Sequence, residues 1–85
     1  MKYAWQYVLK AARTLHAQGQ ATFSPQQVLE VALGLGWPKD PETIRHHVCN
    51  QMRADRADAT HPYLEYLGSA TYRLNTEGQR AAEGL

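Results

Sequence analysis

The chain has a single cysteine, Cys49, so no internal disulfide can staple it, and a lone thiol fits a reducing compartment. It has no long apolar run, so a transmembrane helix is not expected. The opening MKYAWQYVLK lacks an apolar block followed by a small-residue cleavage site, so no secretory signal is expected either. These absences point to a cytoplasmic protein. No sign of charge dominates: 9 Lys and Arg stand against 8 Asp and Glu, a net charge of +1. There is no repeat, low-complexity tract or linker. At 85 residues the chain makes one small domain, domains typically running to about 100–200 residues. Its core is correspondingly modest.

Catalytic patterns are also missing. No glycine-rich loop cradles a phosphate, no Ser–His–Asp order stands out, and the acids are scattered. So short a chain leaves little room for a substrate cleft. A non-enzymatic protein with no cofactor and no small-molecule substrate is expected. His46, His47, Cys49 and His61 invite a zinc reading, and His46 and Cys49 share a helix face. No second pair has ligand spacing, however, and a structural zinc wants four closed ligands, so no metal is expected. Cys49 reads as a small residue at the border of core and surface.

What the sequence does contain is helix patterning. From Tyr3 to Gln18, the residues Trp5, Val8, Leu9, Ala12 and Leu15 recur at i, i+3, i+4 and i+7 and make one apolar stripe. Gly19 suits a left-handed cap. Ala21, Thr22 and Phe23 predict a very short strand. Ser24, Pro25 and Gln27 then predict a capping box with proline at the first helical position. In that second helix Val28, Val31, Ala32 and Leu35 face inward. Gly34 and Gly36 loosen its end and Pro38 stops it.

A third helix is expected over Asp40–Arg53, capped by Asp40, with Pro41 in its first turn and Glu42 complementing the helix dipole. Ile44, Val48 and Met52 face the core. A polar loop, ADRADATHP, follows, and then YLEYLGSATYRLN reads as a β-hairpin around Gly68 and Ser69, with Tyr72 and Leu74 on one face. The last ten residues, 76–85, suggest a frayed helix capped by Thr76 and weakened by Gly78. Helix, short strand, helix, helix, hairpin is the order of a winged helix-turn-helix. The expected class is therefore α+β: a three-helix core with a small antiparallel β-hairpin wing over residues 1–75, followed by a tail.

The third helix carries the candidate chemistry. At about 100° per residue, His46, Asn50 and Arg53 fall opposite Ile44, with Thr43 and Cys49 beside them and Arg45 and His47 on the flanks. Asn pairs bidentately with adenine and Arg with guanine in a major groove, and Thr reaches a phosphate or a thymine methyl. Lys39, just before the helix, suits a phosphate. The bland reading is that any helix of a small domain needs a polar outer face. Position in a third helix before a hairpin favours double-stranded DNA. Four acids accompany four bases between Lys39 and Asp58, so modest, strongly salt-dependent binding is expected. Histidine side chains gain charge as pH falls through about 6.5, so DNA affinity is expected to rise from pH 8 to 6.

The stretches FSPQQVLEVA, ETIRHHVCNQM and YLEYLGSATYRL resemble a family of small bacterial winged-helix domains, similar to HARE-type and restriction-endonuclease-associated winged helices. The resemblance runs from roughly Trp5 to Leu74. It implies a nucleic-acid-binding fold without catalytic residues, acting as a bacterial or phage regulator or as the DNA-targeting subunit of a restriction or defence system. In one respect the chain departs from it. The family's hairpin turn is usually basic, whereas here Gly68, Ser69, Ala70 and Thr71 hold no cation and Arg73 lies inside the second strand. A protein-interaction module is the alternative reading. Tyr3, Tyr7, Lys10 and Thr14 lie opposite the core stripe of the first helix and suggest a homodimer interface.

Overall fold

The first helix of the computed structural model, which describes residues 1–85, starts without an acid or hydroxyl cap. Its first free N–H groups are met by a glutamine instead: Gln6 Oε1 accepts from the backbone N–H of Lys2 at 2.8 Å and of Tyr3 at 2.9 Å. Helix α1 then spans Ala4–Ala17, burying Val8, Leu9, Ala11, Ala12 and Leu15. Gly19 turns the chain with φ of 86°, in the left-handed region where glycine is favoured. Trp5, expected in the core, is only half-buried. It lies at the edge of the α1 stripe and stacks flat on His61, ring centroids 4.5 Å apart.

Helix α2, Pro25–Gly34, begins with the reciprocal cap its sequence predicts. Ser24 Oγ accepts from Gln27 N–H at 3.2 Å, and Gln27 Oε1 accepts from Ser24 N–H at 2.8 Å. Its buried residues are Val28, Leu29 and Ala32; Val31 and Leu35 sit half-buried at the margin. Trp37, just beyond, joins the core. Its indole N–H donates to the Asp40 carbonyl at 3.0 Å, which satisfies the one polar atom of a buried tryptophan.

Helix α3 is shorter than its sequence predicts. It is α-helical over Pro41–His46 and continues as a π-helical turn over His47–Gln51. Asp40 Oδ1 caps it by accepting from Glu42 N–H at 2.9 Å. The wide turn closes with an i→i+5 bond, Met52 N–H to the His47 carbonyl at 2.9 Å. Ile44, Val48 and Met52 are all fully buried. The chain then leaves the helix: Arg53 bridges Leu64 in parallel, and Ala54 N–H donates to the Leu64 carbonyl at 2.7 Å.

Strands β1, Leu64–Gly68, and β2, Thr71–Leu74, form an antiparallel hairpin with Leu64 opposite Leu74 and Tyr66 opposite Tyr72. Leu67 is the extra residue of a bulge. Gly68, Ser69 and Ala70 all have positive φ, at 91°, 51° and 54°, the handedness that tight hairpin turns need. Of the short strand expected at 21–23, only Phe23 pairs, exchanging both backbone hydrogen bonds with Tyr72. Leu64, Tyr72 and Leu74 face the core.

The final helix suggested for residues 76–85 forms and packs on the rest of this α+β fold. Helix α4, Thr76–Glu83, is capped by Asn75, not Thr76: Asn75 Oδ1 accepts from Gly78 N–H at 2.7 Å. Ala82 is buried, and Arg13 Nη1 on α1 donates to its carbonyl at 3.0 Å. Gly78, expected to weaken the helix, is buried and lets the backbone approach closely. A Cβ there would stand 2.4 Å from the Tyr63 carbonyl oxygen. No helix is long and apolar enough to cross a membrane.

Candidate nucleic-acid interface

Because α3 turns its large apolar side chains inward, its outer surface is mostly polar, with only Cys49 and the exposed Pro41 as exceptions. His46 is exposed, and its Nδ1 lies 3.2 Å from Asn50 Nδ2. Asn50 Oδ1 in turn accepts from Arg56 Nη1 at 3.0 Å. A shallow concavity lined by His46, Asn50, Gln51, Arg56, Asp58 and Thr60 contains no apolar side chain. A second, lined by Glu42, Arg45, His46, Cys49 and Asn50, lies on the other side of the same two residues. Donors and acceptors are thus set in a short line that runs from the helix onto the loop after it, chemistry that base edges and phosphates can also meet.

The expected row of His46, Asn50 and Arg53 is not what forms. His46 and Asn50 come together, but the π turn ends the helix before Arg53. Its guanidinium instead lies over the Tyr66 ring, 4.2 Å from the centroid, at the base of the hairpin. Asp55 grips it with two hydrogen bonds, of 3.0 Å to Nε and 2.6 Å to Nη2. These bonds raise the Arg53 pKa above its ordinary value and hold the Asp55 carboxyl below the ordinary carboxylate value. The third member of the row is Arg56, which sequence periodicity leaves in a loop. The polar run after Met52 offered no signal that Arg56 folds back over the last turn.

The other candidates are also engaged. Arg45 Nε stands 3.5 Å from Glu42 Oε1, and Arg45 Nη2 donates to Gln26 Oε1. Arg73 pairs across the hairpin with Glu65 at 3.1 and 2.9 Å, and these bonds raise its pKa. Arg56 Nε also reaches Asp58 Oδ1 at 3.4 Å. Thr43 is half-buried, and its carbonyl takes His47 Nδ1 at 2.8 Å. Lys39 is exposed in the turn before α3. Each of these arginine pairs is partly exposed to solvent, where an ion pair is weak and a phosphate can displace the carboxylate in the same forked geometry.

Behind the interface, His61 anchors the loop that carries Arg56. Its backbone N–H donates to the Gln51 carbonyl at 3.1 Å, and its ring clusters with those of Trp5 and Tyr63. Its Nδ1 is buried with no partner. Burial, with a smaller contribution from the nearby His47, lowers the His61 pKa. Tyr72, beneath the hairpin, has its phenol pushed up to about 12, first by burial and then by Cys49. No group of three or more His, Cys, Asp or Glu side chains is arranged to hold a metal ion.

On α1, Tyr3 is exposed, but Tyr7 is half-buried and packs edge-on against Trp37 at 5.1 Å. Tyr7 therefore serves the fold in place of an open interface. Thr14 Oγ1 donates back to the Lys10 carbonyl at 2.8 Å. Comparison with protein-family models, with curated proteins and with solved structures finds no match to this chain.

Proposed function

We propose that this protein is a winged helix-turn-helix domain that binds double-stranded DNA without catalysis, as a bacterial or phage regulator acting in the cytoplasm. Helix α3 enters the major groove, His46, Asn50 and Arg56 face base edges, and Lys39 and Arg45 flank them toward phosphates. Arg53 and Arg73 lie toward the hairpin, positioned for the backbone beside it. The observation that carries this reading is the hydrogen-bonded line of His46 and Asn50 on α3 with Arg56 from the loop that follows it, beside a helix whose large apolar residues Ile44 and Val48 are turned inward. The π turn adds support, since such turns are frequent at functional sites. So does the element order, in which the hairpin follows directly on the third helix.

Ion pairing sets the expected strength. Arg45, Arg53, Arg56 and Arg73 each have a carboxylate partner that a phosphate must displace. Binding is therefore modest for a single copy and steep in salt, because each phosphate contact contributes about −0.9 to the slope of log K against log salt. Fluorescence anisotropy with a random-sequence duplex across a salt series tests this. Asn50→Ala and Arg53→Ala should each weaken binding. Binding that responds to neither salt nor these substitutions removes DNA as the ligand.

A further inference from the structure

Charge is segregated along this chain. No Asp or Glu precedes Glu30, while residues 1–29 carry Lys2, Lys10 and Arg13. The other six of the 9 Lys and Arg share residues 30–85 with all 8 acids. Five of those six, all but Lys39, stand in ion pairs, and none of the three N-terminal cations does. Most of the unpaired positive charge of the protein therefore belongs to α1 and its leading residues, not to α3.

That charge lies on an ordered surface. Tyr3, Gln6, Lys10, Arg13 and Ala17 follow one another at spacings of 3, 4, 3 and 4 residues, which on a helix draws one straight stripe. The stripe runs opposite the buried Val8, Ala12 and Leu15. Lys10, Arg13, Thr14, Ala17 and Gln18 line a shallow depression that shares no residue with the concavities around His46 and Asn50. At the N-terminal end two large apolar side chains stand out, Met1 at 51% and Tyr3 at 54% exposed, with Lys2 Nζ 5.6 Å from the Tyr3 ring centroid. From Tyr3 to Arg13 the stripe is about 15 Å long, roughly three helical turns. At the far end Arg13, whose Nη1 donates to the Ala82 carbonyl at 3.0 Å, lines a recess together with His16 and the acid Glu83, with which it forms no ion pair.

We propose that the outer face of α1 docks an acidic amphipathic helix of a partner protein. An apolar side chain of the partner covers Tyr3, and carboxylates about two and about three turns further along meet Lys10 and Arg13. A second copy of this chain is a poor occupant, because packing the same stripe against itself sets Lys10 and Arg13 against their own charge. Duplex DNA is a poor occupant too, since the stripe opens on exposed Met1 and Tyr3 and offers few cations for a phosphate backbone. The proposal stands independently of DNA binding through α3.

The test is amide chemical-shift mapping on the full chain with two probes added separately. One is a synthetic helical peptide of two heptads carrying leucine on one face and glutamate along its border. The other is a random-sequence duplex. The peptide is expected to shift Tyr3, Lys10, Arg13 and Ala17 and to leave His46 and Asn50 unmoved. Lys10→Glu alone should weaken it at least tenfold, as should Lys10→Glu with Arg13→Glu. The single substitution leaves the Arg13 bond to α4 intact, so a folding defect is separable. No α1 shifts with millimolar peptide, or peptide binding unchanged in Lys10→Glu, overturns the proposal. Duplex-induced shifts centred on α1 would assign this face to nucleic acid and also overturn it. Concentration-dependent α1 shifts without either probe would assign it to self-association.

Discussion

Gly78→Ala separates the packing described here from helix propensity by the sign of its effect. Glycine inside a helix costs about 1 kcal/mol relative to alanine, so propensity alone makes this substitution stabilising. At Gly78, however, the new Cβ would stand 2.4 Å from the Tyr63 carbonyl oxygen and 3.1 Å from Leu74 Cδ2. Restoring an ordinary 3.4 Å contact moves the start of α4 by about 1 Å, a distance overpacked sites relieve only at roughly 1–3 kcal/mol. The displacement also strains two bonds between Asn75 and the 62–63 backbone: Asn75 N–H to the Tyr63 carbonyl at 3.0 Å and Asn75 Nδ2 to the Pro62 carbonyl at 2.8 Å. Each is worth about 1 kcal/mol. With an overpacking cost near the middle of that range and the two bonds weakened by about half rather than broken, setting the propensity gain against these losses leaves a net destabilisation of about 2 kcal/mol. For a domain of this size that lowers Tm by roughly 8–16 °C. Thermal unfolding followed by circular dichroism reads it directly, with Gly34→Ala as the control, because a Cβ there meets nothing within 4 Å. An unchanged or raised Tm for Gly78→Ala would refute the close approach of α4 to Tyr63.

Other perturbations probe the interface. Asp55→Asn frees the Arg53 fork from its carboxylate. DNA binding should tighten several-fold, because no carboxylate then competes with phosphate for the fork; an affinity left unchanged or weakened would place Arg53 away from phosphate. Tyr66→Ala removes the ring beneath Arg53 and should weaken DNA binding several-fold while the chain stays folded. Burial lowers the His61 pKa in the fold. Its contribution to stability is therefore fully present above the unfolded value of about 6.5 and is lost as pH falls through the lower folded value. Chemical denaturation from pH 7.5 to 5 should show that loss, and His61→Phe, which keeps a ring against Trp5, should flatten it.

Much of the framework is legible residue by residue. Ser24 with Gln27, Asp40 with Pro41, and the triplet Ile44, Val48 and Met52 act locally, and local signals suffice to start a helix and choose its inner face. What sequence periodicity misses depends on contacts distant along the chain. A fixed 100° step places Arg53 beside Asn50, but the helix ends in a π turn, the chain at 52–54 pairs with Leu64, and Arg53 lies at the hairpin. Arg56 reaches Asn50 only because His61 ties the loop back to Gln51 and Trp5. Trp37 is buried by Tyr7 from another helix, and Gly78 looks like a helix defect until Tyr63 is seen against it. The charge count of +1 also conceals where the charge is free, since pairing is a matter of geometry.

The most direct test of DNA contact through α3 is an amide chemical-shift titration of the full chain with a random-sequence duplex at low salt, repeated with Arg56→Ala. The expected result is a continuous set of shifts over His46, Asn50, Arg53 and Arg56, weakened several-fold by the substitution and reversed by salt. A duplex that leaves these four residues unshifted while moving others, or that moves nothing, would contradict it.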